Sequence, residues 1–166
     1  MASTLKSSTL TVTVSESVTI NGTHQGGSLA CQIPNIDEIY KRIIKVPVSE
    51  ITLYTTDASS PNSSGGHVFN MHQVKYARIT VLDTSEKINL RLTNSDSDEF
   101  VYVLGGKNNS SFILMDHDNI MEAASATATG SAYGSITSVE ASAPNATAPG
   151  VDVEIFVAVD GPNTTV

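Results

Sequence analysis

The chain has 166 residues, a length typical of one domain that buries about two-thirds of its unfolded surface. Its formal net charge is −8, which argues against nucleic acid or an anionic membrane as the main partner, because both repel an acidic surface. Roughly a quarter of the residues are Ser or Thr, and only 16% are charged. Because Thr and Val pack well on a pleated surface, this composition favours strands, and we expect a single all-β domain over residues 1–166.

The charge is unevenly distributed along the chain. Residues 1–82 carry six basic and five acidic side chains, whereas residues 83–166 carry three basic and twelve acidic ones. A chain polarised in this way could stack onto copies of itself or onto a basic patch of another protein. The alternative is a solvated acidic face that only aids solubility.

The N-terminus lacks the apolar segment of a secretory signal, and no span of about twenty apolar residues follows. We therefore expect residues 1–8 to form a flexible arm and the protein to be made in the cytosol. The single cysteine, Cys31, lies in an apolar run and is predicted to be a small buried hydrophobic residue.

The first predicted element is a strand over residues 9–20, where Leu10, Val12 and Val14 alternate with Thr and Ser. Asn21-Gly22 ends it as a turn. A second apolar run, residues 29–33, stops at Pro34.

A short helix is predicted over residues 36–44. Asn35 suits the N-cap position, and Glu38 lies three residues further on, at the capping-box position. Helical spacing is shared by Ile36, Ile39, Tyr40, Ile43 and Ile44. The β-branched isoleucines leave a strand as the alternative for part of this segment. The outer face of the helix would carry Lys41, Arg42 and Lys45.

Further strands are predicted over residues 51–56, 76–82, 88–93, 100–104, 111–115, 135–142 and 151–159, with a short edge strand at 67–69. Their spacing favours a β-sandwich, with a jelly roll as the expected type and a β-meander in its centre. The last strand has the most regular alternation and should be an interior strand. Residues 123–134 have little apolar bulk and are predicted to form a long surface loop that could order against a neighbour.

No motif for catalysis or cofactor binding stands out. The four histidines lack zinc-site spacing, and His117, which has acidic neighbours, is better explained by an exposed turn. Residues 94–99 imitate the start of a calcium loop but lack the later Gly and Glu, so a hairpin turn is predicted there. We expect no enzyme activity, no metal or other cofactor, and no small-molecule substrate. Four tyrosines leave sugar binding open, namely Tyr54, Tyr76, Tyr102 and Tyr133.

Several segments resemble small virion structural proteins of marine tailed bacteriophages. The similar segments are residues 16–22, 40–47, 76–83, 88–94, Glu99-Phe100, Gly105-Gly106, 111–114 and 151–157, which together cover most of the chain. These proteins tend to share the pattern Tyr-x-Arg-Ile-Thr-Asn-Leu-Asp and a closing Val-Asp-Val-Glu-Ile-Phe-Val. The chain departs from the first pattern at Val81, where the family usually has Asn.

The resemblance implies a virion component assembled in the host cytoplasm, most simply a capsid decoration or cement protein. Its partners would be the major capsid protein or other virion proteins, and we expect a homo-oligomer. The alternatives are a tail or head-to-tail accessory protein and a receptor module that binds host glycan. Charge and the lack of a self-contained core nominate the contact residues Lys41, Arg42, Lys45, Ala126, Thr127, Ala128 and Thr129.

Overall fold

The computed structural model describes residues 8–56, 67–69, 74–106, 109–115, 120–121, 134–147 and 149–160. These residues are all-β and contain no helix, so none that could span a bilayer. The strands are β1 (Ser8–Ser15), β2 (Thr19–Ile20), β3 (Thr23–His24), β4 (Ser28–Val46), β5 (Ile51–Thr55), β6 (His67–Val68), β7 (Val74–Val81), β8 (Lys87–Asn94), β9 (Glu99–Gly105), β10 (Ser111–Met115), β11 (Ile120–Met121), β12 (Gly134–Ser142) and β13 (Val151–Asp160). The all-β prediction is confirmed.

Two sheets form the body of the molecule. Sheet 1 has the strand order β1-β4-β13-β7-β10, and sheet 2 has the order β6-β5-β12-β8-β9, with β11 beside β12. Neighbouring strands are antiparallel except for the pair β5 and β6. A small hairpin, β2 with β3, continues the hairpin of β1 with β4 through backbone hydrogen bonds of Glu16 with Gly27 and of Gln25 with Val18. Its turn contains Asn21 and Gly22 with positive φ, as the sequence predicts.

Strand β13 lies inside sheet 1, between β4 and β7, which confirms the prediction of an interior strand. Its alternate side chains are buried because successive residues of a strand point to opposite faces. These buried side chains are Val151, Val153, Ile155, Val157 and Val159. They join a single core cluster with residues of sheet 2 such as Leu53, Ile88 and Leu90, so the two sheets share one core.

The predicted helix over residues 36–44 is wrong, because this segment is the second half of β4. It pairs with β13 from Ile36 opposite Asp160 to Val46 opposite Val151. The isoleucines that fit a helical spacing are also good strand formers, since β-branched side chains are restricted in a helix. A long ladder to a strand more than one hundred residues away outweighs the local helix signal.

Strand β4 changes partner at Pro34 and Asn35. Its first half pairs with β1, where Leu10 lies opposite Ile33, and its second half pairs with β13. Asn35 has φ of 62°, in the left-handed region, and both ladders shift register here. The β1 hairpin thereby covers the outer face of sheet 1, as shown by a second apolar cluster that contains Ile33, Ile36, Tyr76 and Ala158, with Leu10, Val12, Cys31 and Phe156 against it.

Three smaller predictions change. The strand expected over residues 9–20 is broken between β1 and β2. The expected central β-meander is wrong, because β7 pairs with β13 and β10 and not with β8. Cys31 is only partly buried, although it does pack in the second apolar cluster. The short edge strand at residues 67–69 is confirmed as β6, the last strand of sheet 2 on its side.

The conformation of Asn35 gives a stability prediction. Asn35→Val should lower the free energy of unfolding by about 1–2 kcal/mol, because a β-branched residue is strained at positive φ. Asn35→Gly is the matched control and should leave the stability unchanged or slightly higher. Urea denaturation followed by fluorescence or circular dichroism measures both. Equal stability of the Val and Gly variants would contradict the left-handed kink in β4.

Candidate interaction surfaces

The three basic residues nominated from the sequence lie on β4 rather than on a helix. Because side chains alternate along a strand, Lys41 and Lys45 share the outer face of sheet 1, and Arg42 points to the opposite side. Lys45 bonds Asp152 at 2.6 Å, and Lys41 lies 3.2 Å from Glu154, both on β13. The structure thus brings two of the three together and partly neutralises them.

Glu154 ties together the outer face of sheet 1. Besides Lys41, it accepts a hydrogen bond from Arg78 on β7 at 2.5 Å, and Arg78 also lies 5.8 Å from the ring centre of Phe156. The hydrogen bond from Lys41, followed by that from Arg78, lowers the pKa of Glu154. The charges of Lys41 and Arg78 therefore serve mainly to join β4 and β7 to β13.

The second half of β4 nevertheless leaves an exposed surface, here called the β4 surface (Ile39, Lys41, Arg42, Ile43 and Lys45). The pairing of β1 with β4 stops at Ile36, so no described strand pairs with β4 beyond it on that side. Ile39 and Ile43 are more than half exposed on this strand. The β4 surface therefore combines two apolar and three basic side chains at one edge of sheet 1.

The other nominated contact residues, Ala126, Thr127, Ala128 and Thr129, lie outside the described residues, as does almost all of the predicted loop at 123–134. Only Gly134 of that loop is described, and it begins β12. Their role in contacts stays a prediction.

A second exposed surface, which was not predicted from the sequence, lies where the end strands of the two sheets meet, β9 of sheet 2 and β10 of sheet 1. We call it the β9/β10 edge (Phe100, Val101, Tyr102, Val103, Ile113 and Met115), and all six side chains are 40–59% exposed. Tyr102 lies 5.7 Å from Phe112, ring centre to ring centre, so the end strands of the two sheets are neighbours. The sequence pattern that could have indicated this surface is the unbroken apolar run at residues 100–104, which lacks the alternation of a half-buried strand.

The outer face of sheet 2 carries a compact charge network. Arg91 on β8 bonds three carboxylates, those of Glu50, Glu99 and Glu140. Burial raises the pKa of Glu140, an effect that Arg91 partly offsets and Glu50 reinforces. The network holds β8, β9 and β12 together and leaves an excess of negative charge on this face.

Residues 94–99, which imitate a calcium loop, form the turn between β8 and β9, as predicted. The buried side chain of Asn94 accepts hydrogen bonds from the backbone N–H groups of Asp96 and Asp98, at 3.0 and 2.7 Å. In the described part of the chain no three His, Cys, Asp or Glu side chains come close enough to hold a metal ion. His117 lies outside the described residues.

The tyrosines considered for sugar binding differ in exposure. Tyr54 is completely buried, which raises its pKa, and Tyr76 is 6% exposed. Tyr133 lies outside the described residues. Tyr102 is 45% exposed and stacks on Phe100, with ring centres 6.4 Å apart and planes inclined by 19°. Of the three tyrosines in this set that the structure describes, Tyr102 is the exposed one, and it forms an aromatic pair with Phe100.

Comparison of the chain with protein-family models, with curated proteins and with solved structures finds no match.

The pKa of Glu154 is lowered and that of Glu140 is raised, and these two shifts predict opposite effects of pH on stability. Glu154 has a lowered pKa, so its stabilising contribution is complete above the ordinary carboxyl pKa and is lost as the pH falls through its folded-state pKa. Glu154→Gln should therefore lower the free energy of unfolding at pH 7 by up to about 1 kcal/mol, a loss that disappears in acid.

Glu140 is the matched control, because its pKa is raised. Ionised Glu140 destabilises the fold above its folded-state pKa, and this penalty vanishes below the ordinary carboxyl pKa. Glu140→Gln should therefore raise the stability at pH 7 and leave it unchanged in acid. Urea denaturation between pH 3 and pH 7 measures both variants. The same sign for both at pH 7 would contradict the two environments described above.

Proposed function

We propose that the chain is a non-enzymatic structural protein of a phage particle, a capsid decoration or cement protein that bridges capsid subunits. The observation that carries the proposal is the pair of separate exposed surfaces, the β4 surface on sheet 1 and the β9/β10 edge where the end strands of both sheets meet. A protein that bridges two neighbours needs two separate contact surfaces. Exposed apolar side chains grouped at sheet edges suit contacts with other proteins.

We further propose that the fold is a β-sandwich of the jelly-roll type. Eight of the strands pair from the outside inwards along the chain, β4 with β13, β5 with β12, β7 with β10, and β8 with β9. Four such antiparallel pairs distributed over two sheets are the expected arrangement of a wound jelly roll, a fold that viral capsid domains use. This strand order agrees with a virion role, and equally with the glycan-binding candidate below, because lectin domains share the jelly roll.

The β4 surface suits a partner with acidic and apolar groups on its contact face. Ile39 and Ile43 supply apolar area that is now in water, and burial of such area drives association. Arg42 has no ion pair within the described residues, so its charge is available to a carboxylate of the partner. From the resemblance to virion structural proteins, the partner that we propose is the major capsid protein or another virion protein.

Two other classes compete with a capsid decoration protein. A tail or head-to-tail accessory protein would use the same surfaces in fewer copies. A glycan-binding module is favoured by the exposed stacked rings of Phe100 and Tyr102, since sugars bind on aromatic faces. It would give binding on a glycan array that Tyr102→Ala abolishes, and an array without signal removes this candidate.

Neutralising the β4 surface should reduce incorporation into particles. Lys41→Gln, Arg42→Gln and Lys45→Gln, combined, remove three positive charges from the proposed contact. We expect at least a tenfold loss of the chain from purified virions, measured by quantitative mass spectrometry against the major capsid protein. The control combines Thr19→Glu, Thr23→Glu and Gln25→Glu in the β2–β3 hairpin, which changes the net charge equally at exposed positions away from the β4 surface. Equal incorporation of both variants would exclude the β4 surface.

The copy number per virion separates the structural roles. A decoration protein should approach the copy number of the major capsid protein, because the icosahedral shell repeats its binding site. A tail or connector component should match the few copies of a ring. Absence of the chain from purified virions would overturn the proposed function.

A further inference from the structure

Strand β9 is the last strand of sheet 2 and is exposed on both faces. It pairs with β8 on one side only; on its other side β10 lies near through the contact of Tyr102 with Phe112, but no described strand forms a ladder with it. Phe100 and Tyr102 face sheet 1, and Val101 and Val103 face outward, yet each of the four is 42–59% exposed. An edge of this kind offers unpaired backbone donors and acceptors together with apolar side chains.

Three of the other sheet edges carry features that discourage pairing, whereas β10, the end strand of sheet 1, has only five residues and lies beside β9. Strand β6 has only two residues, β1 is rich in Ser and Thr, and the second half of β4 has charged residues along its edge. Strand β9 has seven residues, no Lys or Pro, and an unbroken register with β8. Because natural proteins protect long edges with charge, proline or bulges, an unprotected one indicates a strand that pairs with another chain.

We propose that β9 pairs antiparallel with β9 of a second copy of this chain, about a two-fold axis. The inference rests on the proposed function, because it names the partner of one of its two surfaces. A two-fold contact places the same edge of both copies together, so the apolar side chains of one cover those of the other. Sheet 2 of one copy and sheet 2 of the other would then form one continuous sheet across the dimer.

Full overlap of the two strands sets the register. All seven residues find a partner only when the axis passes through Tyr102, which then lies opposite Tyr102 of the second copy. Val101 lies opposite Val103 on the outer face, and Phe100 lies opposite Leu104 on the inner face. Aromatic and β-branched residues directly opposite one another are favourable cross-strand pairs.

Charges at the two ends of β9 fit this register. Glu99 of the second copy lies opposite Gly105, and the neighbour of Gly105 on the other side is Lys87 of β8. Both charged residues are exposed and point to the outer face, and Gly105 places no side chain between them. Two strand spacings, about 9.6 Å, separate their backbones, a gap that the two long side chains can close. The dimer would form this ion pair twice.

Sedimentation velocity over a concentration series tests self-association of the purified chain. We expect a reversible dimer whose fraction rises with concentration. Val103→Lys should weaken it at least tenfold, because a lysine on an edge strand discourages pairing and replaces the apolar pair with Val101 of the partner. Ile39→Lys is the matched control, since Ile39 is 55% exposed against 59% for Val103 but lies on β4. A wild-type chain that stays monomeric, or a Val103→Lys variant that dimerises normally, would overturn the proposal.

A charge swap tests the register. Lys87→Glu and Glu99→Lys should each weaken the dimer severalfold, and the double variant should restore it, because the ion pair is then reversed. Arg91 keeps Glu50 and Glu140 when Glu99 is replaced, so the fold is retained. Failure of the double variant to exceed both single variants would refute the pairing of Glu99 with Lys87.

Cysteine crosslinking tests the axis. In a Cys31→Ser background, Tyr102→Cys should form an intermolecular disulfide under mild oxidation, because opposed residues of antiparallel strands lie about 4.5–5.5 Å apart. Ile39→Cys in the same background should not. Crosslinking of both variants to the same extent would contradict an axis at Tyr102.

These results separate the dimer from the proposed function. Dimerisation is measured on the isolated chain, and incorporation is measured on virions. A chain that is monomeric but abundant in virions would refute the β9 pairing alone, whereas a dimer that is absent from virions would refute the virion role alone.

Discussion

The two-sided pairing of β13 is the constraint on which the rest of sheet 1 depends. Its inner side chains are buried in the shared core, and both its edges are bonded, to β4 on one side and to β7 on the other. Its outer face carries Asp152 and Glu154, which hold Lys45, Lys41 and Arg78 of these neighbours. Apolar burial fixes the register, since a slip by one residue would turn the buried valines to solvent.

That constraint also explains the shape of β4. This strand of 19 residues does not pair with both β1 and β13 along its whole length. β1 lies beside its first half, and β13 lies beside its second half. The break at Pro34 and Asn35 lets the first half leave the sheet and cover Tyr76 and Ala158. The second half pairs with no described strand on its other edge, where the exposed residues of the β4 surface lie.

Local pattern predicted the strands whose burial is one-sided or complete. The alternation at residues 151–159 identified β13 as an interior strand, and the Asn94 to Glu99 turn followed from its residue types. The helix at 36–44 failed because isoleucines at helical spacing cannot reveal that Ile44 pairs with Val153 far along the chain. Propensity is a weak prior wherever a distant partner decides the conformation.

The same limit on prediction from local sequence applies to the candidate surfaces. The basic residues of β4 were visible as a charge pattern, but Lys41 and Lys45 proved to have carboxylate partners on β13. The run 100–104 predicted a strand correctly, whereas its exposure depends on the order of strands in the sheet. No local pattern in a single sequence states which strand ends at an edge, because that order follows from pairings between distant segments.

The acidic balance of the chain limits how its surfaces can work. With a net charge of −8, two copies repel each other at long range, so attraction between copies must come from contacts that act only at short distance. In the proposed β9 dimer, apolar side chains and backbone groups that no described strand pairs would supply such contacts, whereas the negative face around Arg91 would not. Long-range repulsion with a short-range apolar edge favours a few well-fitted contacts over indiscriminate aggregation. A repeated component of a symmetric shell requires that selectivity, because each copy must associate at defined positions and nowhere else.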